Sequence, residues 1–410
     1  MHEIWDLLIV GGGASGITAA IAAARMGDRV LILEKSSALG RKIAASGNGR
    51  CNLMNTGKPV YYGDLSFVHS VLDQFTIHDL TDFFYSAGLF LAADDSGRIY
   101  PRTLQSSSVL DALKTLLHIY RVKTVLQAFV TCIKKNNNVF SAITSAGTFQ
   151  GKRILIAAGG MAYPKLGGTD SGYKLLESFN HRIIQPSPAL CPICTDSRSV
   201  SGLSGIRIRG SLSLLGSKEE VLYSNRGEIL FTEYGISGIC AMQCARFINS
   251  KNCKIRLDLA ENLFPEKESL AENLLMRRKK FAECPAESLL NGIVMPKLSF
   301  AVLKQAGISL RGRTISDLAE QEILHIADMI HSYTLQVTGT RGFEEAQVTA
   351  GGADCSEFDP SNMESRIVKG LFASGEVLNI DGDCGGFNLM FAFISGILAG
   401  KNKRAWERDS

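Results

Sequence analysis

The chain has 410 residues, more than a single hydrophobic core usually supports, so we expect about two domains or one fold with a long insertion. Apolar residues make up 45% and charged residues 20% of the chain, a balance that argues against intrinsic disorder. The 44 basic and 40 acidic residues leave a formal net charge of +4, which neither indicates nor excludes an anionic partner.

The first 34 residues predict a complete strand–helix–strand unit. Residues 4–10 form a nearly continuous apolar run, typical of a parallel strand buried on both faces, and a glycine-rich turn follows at 11–16. Small and apolar residues at 14–26 predict a helix, and residues 29–33 predict a second strand that ends at Glu34. A strand, a glycine-rich turn, a helix and a second strand that ends in an acid follow one another in this order in dinucleotide-binding units.

Each part of such a unit has a physical task that this sequence meets. Gly11 permits the tight turn, Gly13 lets the backbone approach a pyrophosphate, and Gly16 lets helix and strand pack closely. Glu34 stands where a carboxylate accepts hydrogen bonds from an adenosine ribose and disfavours a 2′-phosphate. The alternative interpretation is a glycine turn with a structural role only.

The next segment favours FAD over NAD as the dinucleotide. An NAD-binding domain would normally continue into another strand and helix, whereas residues 39–52 are dense in glycine and asparagine and carry cationic side chains. Such a loop can direct backbone N–H groups and guanidinium donors at a large planar ligand and its phosphates. A flexible surface loop is the alternative.

A small meander should follow in the second hundred residues. We expect strands at 122–130, 139–144 and 148–156, and the last of them runs into a glycine pair at 159–160. Glycines directly after a strand let a ligand approach the backbone closely. The pair therefore extends the predicted site.

The end of the chain should return to the same domain. Residues 371–375 predict a short strand, and the apolar segment 387–400 predicts a buried helix, since it is shorter than the roughly 20 residues that span a bilayer. A helix that begins near Asn388 would direct its positive end at an anion, such as the pyrimidine edge of a reduced flavin.

The middle of the chain differs from both ends. Residues 203–232 alternate apolar and polar side chains as strands do, and residues 265–332 follow a helical period. No second glycine fingerprint with a terminal acid occurs there, so an NAD(P)H donor would bind transiently at the flavin. The predicted fold is α/β, with a Rossmann-like FAD-binding domain at 1–188 and 349–410, a β-rich inserted substrate or lid domain at 189–264 and 333–348, and a helical insertion at 265–332.

Cysteine usage and the chain start predict a cytoplasmic protein without a membrane segment. The ten cysteines lack the dense spacing of a disulfide-stapled secreted domain, and residues 1–10 lack the features of an export signal. Cys191 and Cys194 form a CxxC, yet no second pair or histidine offers zinc spacing, so we expect no metal. The basic run at 277–280 fits a solvated helix end better than a nucleic-acid surface.

Six segments in a fixed order carry a resemblance to a known family. They are GGGASG at 11–16, GRKIAASGNGRCN at 40–52, AAGGMAYPKLGGTDSGY at 157–173, FTEYGISG at 231–238, TAGGADCSEFDPSNMES at 349–365 and GLFASGEVLNIDGDCGGFN at 370–388. Together they are far more specific than the first glycine turn alone. With them the chain resembles the BaiN/RdsA-type NAD(P)/FAD-dependent oxidoreductases, relatives of aminoacetone oxidase.

That resemblance implies one FAD, held without a covalent bond by residues from both ends of the chain. The implied contacts are Gly11, Gly13, Ala14, Ser15 and Gly16 for the pyrophosphate, Glu34, Lys35 and Val130 for the adenosine, and Arg41, Lys42, Asn48, Arg50, Cys51, Asn52, Ala158, Gly159, Gly160, Glu376, Asp381, Gly386, Asn388 and Leu389 for the rest of the cofactor. Two nearby positions depart from the family, with Met54 in place of a common threonine and Asn379 in place of a common aspartate. They put local contacts in doubt rather than FAD itself.

Catalytic residues are weakly indicated. The seven histidines avoid the motif segments, so we interpret them as structural, and the sequence shows no Ser/His/Asp set. Hydroxyl and guanidinium donors in or near the motifs could polarise or protonate a carbonyl substrate, although packing roles are the simpler interpretation. These candidates are Tyr100, Arg102, Tyr163, Thr232 and Tyr234.

The leading hypothesis is an FAD-dependent oxidoreductase that uses NAD(P)H to reduce a C=C bond conjugated to a carbonyl in a 3-oxo-Δ4 steroid or bile acid. The resemblance also implies reduction of uridine to dihydrouridine in ribosomal RNA, which the modest net charge favours less. A second hypothesis is an oxidase that passes electrons from an aminoacetone-type amine to oxygen. A flavin-containing, RNA-associated binding protein is the non-enzymatic alternative.

Overall fold

The computed structural model describes residues 3–248, 252–309 and 312–401. The chain divides into two compact units: unit 1 comprises residues 1–188 and 347–410, and unit 2 comprises residues 189–346. The sequence-based boundaries of the inserted segment are 189 and 348. None of the helices in the described ranges is long and apolar enough to cross a membrane.

The strands of the described residues, in chain order, are β1 Ile4–Val10, β2 Val30–Leu33, β3 Met54–Asn55, β4 Tyr61–Gly63, β5 Leu91–Ala93, β6 Arg98–Pro101, β7 Lys123–Val125, β8 Val130–Asn136, β9 Val139–Thr144, β10 Gly147–Ile156, β11 Ile183–Ala189, β12 Ile193–Thr195, β13 Arg207–Leu215, β14 Val221–Phe231, β15 Gly235–Ser237, β16 Lys254–Asp258, β17 Tyr333–Thr340, β18 Val348–Ala353, β19 Leu371–Ala373 and β20 Ile380–Gly382.

The α-helices of the same ranges are α1 Ala14–Arg25, α2 Arg41–Ala45, α3 Leu65–Gln74, α4 Ile77–Ser86, α5 Ser106–Ile119, α6 Ser171–Glu177, α7 Ile239–Cys244, α8 Lys267–Lys280, α9 Pro296–Gln305, α10 Glu320–His331, α11 Gly342–Glu345 and α12 Phe387–Lys401.

The main sheet of unit 1 has seven described strands in Rossmann-type order. The order is β7-β2-β1-β10-β9-β8, and β19 also pairs with β10. Strands β7, β2, β1, β10 and β19 run parallel, whereas β9 and β8 are antiparallel additions. Because the chain continues from β1 to β2 on one side and reaches β10 on the other, a ligand crevice is expected at the carboxyl ends of these strands. The predicted fold class is confirmed.

Helix α12 returns the end of the chain to its beginning. It packs directly against α1, where a Cβ on Gly396 would lie 2.2 Å from the Ser15 carbonyl oxygen and one on Gly400 2.2 Å from that of Ala19. The Thr18 hydroxyl donates to the Phe393 carbonyl at 3.1 Å. Glycine at these two positions therefore lets the helices approach backbone to backbone, and the predicted buried helix is confirmed.

The expectation of one strand at 122–130 is wrong. Residues 123–125 form β7, which extends the parallel sheet by pairing with β2, and β8 begins only at Val130. Between them Gln127 has a φ of +56°, and its N–H donates to the Ser36 carbonyl. This left-handed residue turns the chain, so the meander consists of β8, β9 and β10.

Unit 2 contains a closed barrel of six described strands in the order β12-β15-β14-β13-β16-β17, which leaves no free sheet edge in that barrel. Helices α8, α9 and α10 fall between β16 and β17, in the predicted helical segment. The basic run forms the last turn of α8, where Arg277 donates to the carbonyls of Leu289 and Asn291. That arginine thus joins neighbouring backbone segments, as a helix-end residue can.

Candidate cofactor site

Four parallel strands of unit 1 end at one edge, and each leads into a predicted site segment. Strand β1 leads into Gly11, β2 into Glu34, β10 into Gly159 and β19 into Glu376. Neighbouring strand ends are in register, because Val10 pairs with Leu33 and Ile156, and Ile156 pairs with Ala373. Segments distant in sequence therefore meet at this edge.

The three fingerprint glycines have different physical roles. Gly11 has a φ of +106°, and a Cβ there would lie 2.4 Å from the Ala157 carbonyl oxygen; a Cβ on Gly16 would lie 2.0 Å from that of Gly11. At Gly13, in contrast, no described atom lies within 4 Å of the position that a Cβ would occupy. Gly13 is the N-cap of α1 and offers no side-chain cap, so the first N–H groups of that helix remain available to an anion.

Substitution of Gly13 should therefore affect cofactor binding, whereas substitution of the crowded Gly16 should affect folding. We expect Gly13→Ala to leave the urea midpoint of the apoprotein almost unchanged, because the new methyl group enters open space. The same methyl group would occupy the approach to the α1 amides, so FAD affinity should fall by about tenfold or more. Titration of apoprotein with FAD, followed by flavin fluorescence, measures this. Gly16→Ala is the contrasting control, which should lower stability itself; unchanged FAD affinity in Gly13→Ala would contradict the assignment.

Glu34 is held in place by two backbone N–H groups. Its carboxylate is buried and accepts hydrogen bonds from the N–H groups of Gly12 and Ser36, each at 2.7 Å. A carboxylate oxygen can accept more than one hydrogen bond, so both keep capacity for ribose hydroxyls. Burial lowers the pKa of the neighbouring Lys35, an effect that the Glu34 charge opposes.

The loop at 46–52 is tightly curled. Gly47, Asn48 and Cys51 all have left-handed backbone conformations, with φ of +57°, +54° and +58°. For Asn48 and Cys51 this is strained, a feature that clusters at ligand sites. The Asn52 Oδ1 is buried and has no hydrogen-bond partner among the described residues, so it can accept from a ligand N–H group. Burial raises the pKa of Cys51 to about 11, so its thiol stays protonated at neutral pH.

A polar cluster lies beside the glycine pair after β10. Lys42 Nζ is 2.5 Å from Glu376 Oε2, and Glu376 Oε1 accepts from the Thr349 N–H at 2.9 Å. The Thr349 hydroxyl accepts from Ala162 N–H at 3.0 Å, and a Cβ on Gly160 would lie only 2.5 Å from that hydroxyl. Burial and the Glu376 charge raise the pKa of Tyr173. Sequence reasoning missed Thr349 and Tyr173, although both lie in the quoted motifs.

The side-chain amide of Asn388, in the first turn of α12, fixes the loop that precedes this helix. Asn388 accepts from the Gly382 N–H at 2.8 Å and donates to the Gly382 carbonyl at 2.7 Å. This loop therefore holds Asn388 internally, and Asp381 in β20 is buried beside β4. Burial raises the pKa of Cys384, an effect that the positive charge of Arg98 opposes. Arg98 is a further residue near this loop that sequence reasoning missed.

The remaining predicted cofactor residues are distributed along the same unit. Arg41 donates to the Lys165 carbonyl at 2.9 Å, and Val130 is a buried residue at the start of β8. Gly386 faces Asn52, since a Cβ there would lie 2.7 Å from Asn52 Oδ1. The others lie in the segments already described, with Ala14 and Ser15 at the start of α1, Arg50 within the curled loop, Ala158 after β10 and Leu389 in α12.

Comparison with known proteins identifies the family. A model described as HI0933-like protein Rossmann domain matches residues 5–402. The chain belongs to the HI0933-like family. The predicted resemblance is confirmed, and this HI0933-like protein is an FAD-dependent oxidoreductase.

Two curated relatives and one solved structure cover nearly the whole chain. A protein named 3-dehydro-bile acid delta(4,6)-reductase, from Clostridium scindens, is 36% identical over 403 residues, which are 96% of this chain and 97% of that protein. A protein named ribosomal RNA dihydrouridine synthase, from Haemophilus influenzae, is 27% identical over 405 residues, 96% of this chain and 97% of that one. A 3-ketosteroid delta1-dehydrogenase from Sterolibacterium denitrificans shares the fold, with a TM-score of 0.50, 12% identity and coverage of 97% of this chain and 98% of that one.

The catalytic candidates of the HI0933-like protein fall in both units. In unit 1, Tyr100 lies next to the curled loop, where a Cβ on Gly47 would be 3.7 Å from its ring, and Arg102 and Tyr163 are exposed. In unit 2, the Arg341 guanidinium carbon lies 4.7 Å from the centre of the Tyr234 ring, and Thr232 precedes that tyrosine by two positions. Burial raises the pKa of Tyr234, so this phenol keeps its proton at neutral pH and can donate a hydrogen bond.

A Ser–His–Glu chain, which sequence reasoning did not find, lies in unit 1. His181 Nδ1 is 2.8 Å from a Glu357 carboxylate oxygen, and His181 Nε2 is 2.9 Å from the Ser365 hydroxyl. That hydroxyl also accepts from the N–H groups of Ile367 and Val368. Because Ser365 is buried and its oxygen is occupied, the chain joins backbone segments rather than forming a nucleophilic triad. For His181, the structural interpretation fits.

The CxxC pair in unit 2 lacks the electrostatics of a reactive dithiol. Burial raises the pKa of Cys191 to about 11 and also raises that of Cys194, although the Arg341 charge opposes the second shift. A reactive thiol normally has a lowered pKa. Within the described ranges, no group of three or more histidine, cysteine or acidic side chains has the arrangement of a metal site.

Proposed function

We propose that this FAD-dependent oxidoreductase uses NAD(P)H to reduce a C=C bond conjugated to a carbonyl in a 3-oxo-Δ4 steroid or bile acid. The observation that carries the proposal is the 36% identity, over 96% of the chain, with a relative named as a bile acid reductase. When bound, FAD would supply the hydride chemistry, and the protein would supply orientation and electrostatics.

The described residues fit a bound FAD along the carboxyl edge of the main sheet. The open space at Gly13 and the N-terminal amides of α1 suit the pyrophosphate, and the anchored carboxylate of Glu34 suits the adenosine ribose. The buried Asn52 Oδ1 needs a donor, which an N–H group of the flavin ring can supply. The other residues that we propose to line the cofactor are those predicted above, from Lys35 to Leu389.

The proposed donor is NAD(P)H without a domain of its own. The described part of unit 2 contains an antiparallel barrel and a helical insertion, and all strand pairs of that barrel are antiparallel, so it offers no second Rossmann-type unit of two parallel strands joined by a helix. The nicotinamide would therefore reach the same site as the substrate and leave before it binds. Tyr100 beside the curled loop is our candidate for polarising or protonating the substrate carbonyl in unit 1.

Reduction of uridine in ribosomal RNA is a second candidate. Two relatives that are 27% identical over 96% of the chain carry the name ribosomal RNA dihydrouridine synthase. The uracil ring also has a C=C bond conjugated to a carbonyl, so the same site could perform both reactions. The modest net charge of +4 gives less support to a polyanionic substrate.

Anaerobic mixing tests the proposal. The purified holoprotein is mixed with NADH and NADPH in turn while the visible flavin absorbance is followed, and a 3-oxo-Δ4 steroid or unmodified ribosomal RNA is then added. We expect bleaching by at least one donor, followed by recovery of absorbance with the steroid and not with the RNA. Recovery with RNA alone would favour the second candidate. Absence of bleaching, with peroxide formed from aminoacetone and oxygen, would replace the proposal with an amine oxidase.

A further inference from the structure

The contact between Lys42 and Glu376 joins two segments that are 334 positions apart in the sequence. Lys42 lies in the short helix α2, after the strand end that carries Glu34, and Glu376 follows the end of β19. Their side chains are 32% and 20% exposed, so water screens the pair only in part. The Thr349 N–H holds the second oxygen of Glu376, which prevents the carboxylate from swinging away.

This placement creates an electrostatic problem that Lys42 can solve. A Cβ on Gly159 would lie 3.9 Å from Glu376 Oε2 and one on Gly160 3.0 Å from Glu376 Oε1, so the carboxylate lies beside the glycine pair at the sheet edge. Glu34 contributes a second carboxylate to that edge, and the pyrophosphate of FAD is itself anionic. Without a cation in contact, Glu376 would repel the cofactor that it is expected to bind.

We propose that Lys42 and Glu376 act as one unit in FAD binding, in which Lys42 neutralises Glu376 so that a fixed carboxylate can lie beside an anionic cofactor. The proposal rests on FAD binding and is independent of the substrate and of the electron donor. If the proposal is right, the Glu376 carboxylate contributes favourably to FAD binding only while Lys42 is present. The two side chains should therefore show strong, non-additive energetic coupling.

A double-mutant cycle on the FAD dissociation constant tests this coupling. Apoproteins of the native sequence, Lys42→Met, Glu376→Gln and the double variant are titrated with FAD at low ionic strength, and flavin fluorescence is followed. Lys42→Met should weaken binding by about tenfold or more, because Glu376 is left without its cation. Adding Glu376→Gln to that variant should strengthen binding again by several-fold, although Glu376→Gln alone should weaken it.

A matched ion pair provides the control. Lys152 Nζ lies 2.9 Å from Asp6 Oδ1 in the same sheet, with side chains that are 45% and 22% exposed, away from the carboxyl ends of the strands. The Lys152→Met/Asp6→Asn variant should leave the FAD dissociation constant within about twofold. Thermal unfolding of each apoprotein reports folding separately. If the double variant binds FAD more weakly than Lys42→Met, the two residues act independently and the proposal is wrong.

Discussion

Replacing Glu34 with arginine is expected to give a folded but colourless protein. The native carboxylate accepts from the N–H groups of Gly12 and Ser36 and lies where the ribose of a dinucleotide is expected. Arginine cannot accept a hydrogen bond, so it would leave both N–H groups without that partner. Arginine would also lose the proposed hydrogen bonds from the ribose hydroxyls to the carboxylate. Each hydrogen bond to a charged group contributes about 1.5 to 3 kcal/mol, so FAD affinity should fall by about 100-fold or more.

The measurement is the ratio of flavin absorbance to protein absorbance after purification, followed by an FAD titration of the apoprotein. Glu34→Gln serves as the graded control, because the glutamine side-chain oxygen can still accept a hydrogen bond from the N–H group of either Gly12 or Ser36. We expect that variant to lose about tenfold in affinity. If Glu34→Arg retains a full complement of FAD, the proposed ribose contact does not exist.

The Gly396→Val variant is expected to lose the packing between α1 and α12. A Cβ at this position would lie 2.2 Å from the Ser15 carbonyl oxygen and 2.8 Å from the Ser15 Cα, and this backbone cannot move without displacing α1. The Thr18 hydroxyl, a side-chain group, would also lie only 2.5 Å away. Overpacking of a well-packed interface typically costs about 1 to 3 kcal/mol, and here the obstacle is backbone, so we expect a loss of about 3 kcal/mol or more. Urea unfolding of the apoprotein measures it.

The Thr18→Val variant tests the same interface with almost no change in volume. It removes the hydroxyl that donates to the Phe393 carbonyl, so the free energy of unfolding should fall by about 1 kcal/mol. A Gly396→Val protein as stable as Thr18→Val would show that the two helices can separate without cost. Because Ser15 belongs to the predicted pyrophosphate segment, Gly396→Val should also weaken FAD binding.

Local patterns predicted the first part of the fold well because the contacts involved are short in sequence. The turn from β1 into α1 and the strand β2 that follows lie within the first 34 residues, and glycine spacing and apolar runs report such units directly. The segment at 122–130 shows the limit of this reasoning. Its apolar period continues through Gln127, whose left-handed backbone ends one strand and turns the chain towards the next.

For the candidate site as well, sequence patterns predicted some features and missed others. The motifs predicted which segments approach the cofactor, but they did not identify the partners of individual side chains. Thr349 became visible only through its hydrogen bonds to Glu376 and Ala162. Likewise, the residues around His181 give no sign that its side chain hydrogen-bonds to Ser365, because 184 positions separate the two residues.

The sequence by itself determined the family, the dinucleotide-binding unit and the use of FAD, since glycine turns, strand periods and ordered motifs are local properties that leave a direct trace in the chain. The tertiary structure decided that Lys42 pairs with Glu376, that Gly396 faces the backbone of α1, and that Gly13 alone among three fingerprint glycines faces open space. The physical reason is that such contacts depend on how strand ends and helices align across hundreds of positions, which no local pattern of residue types encodes.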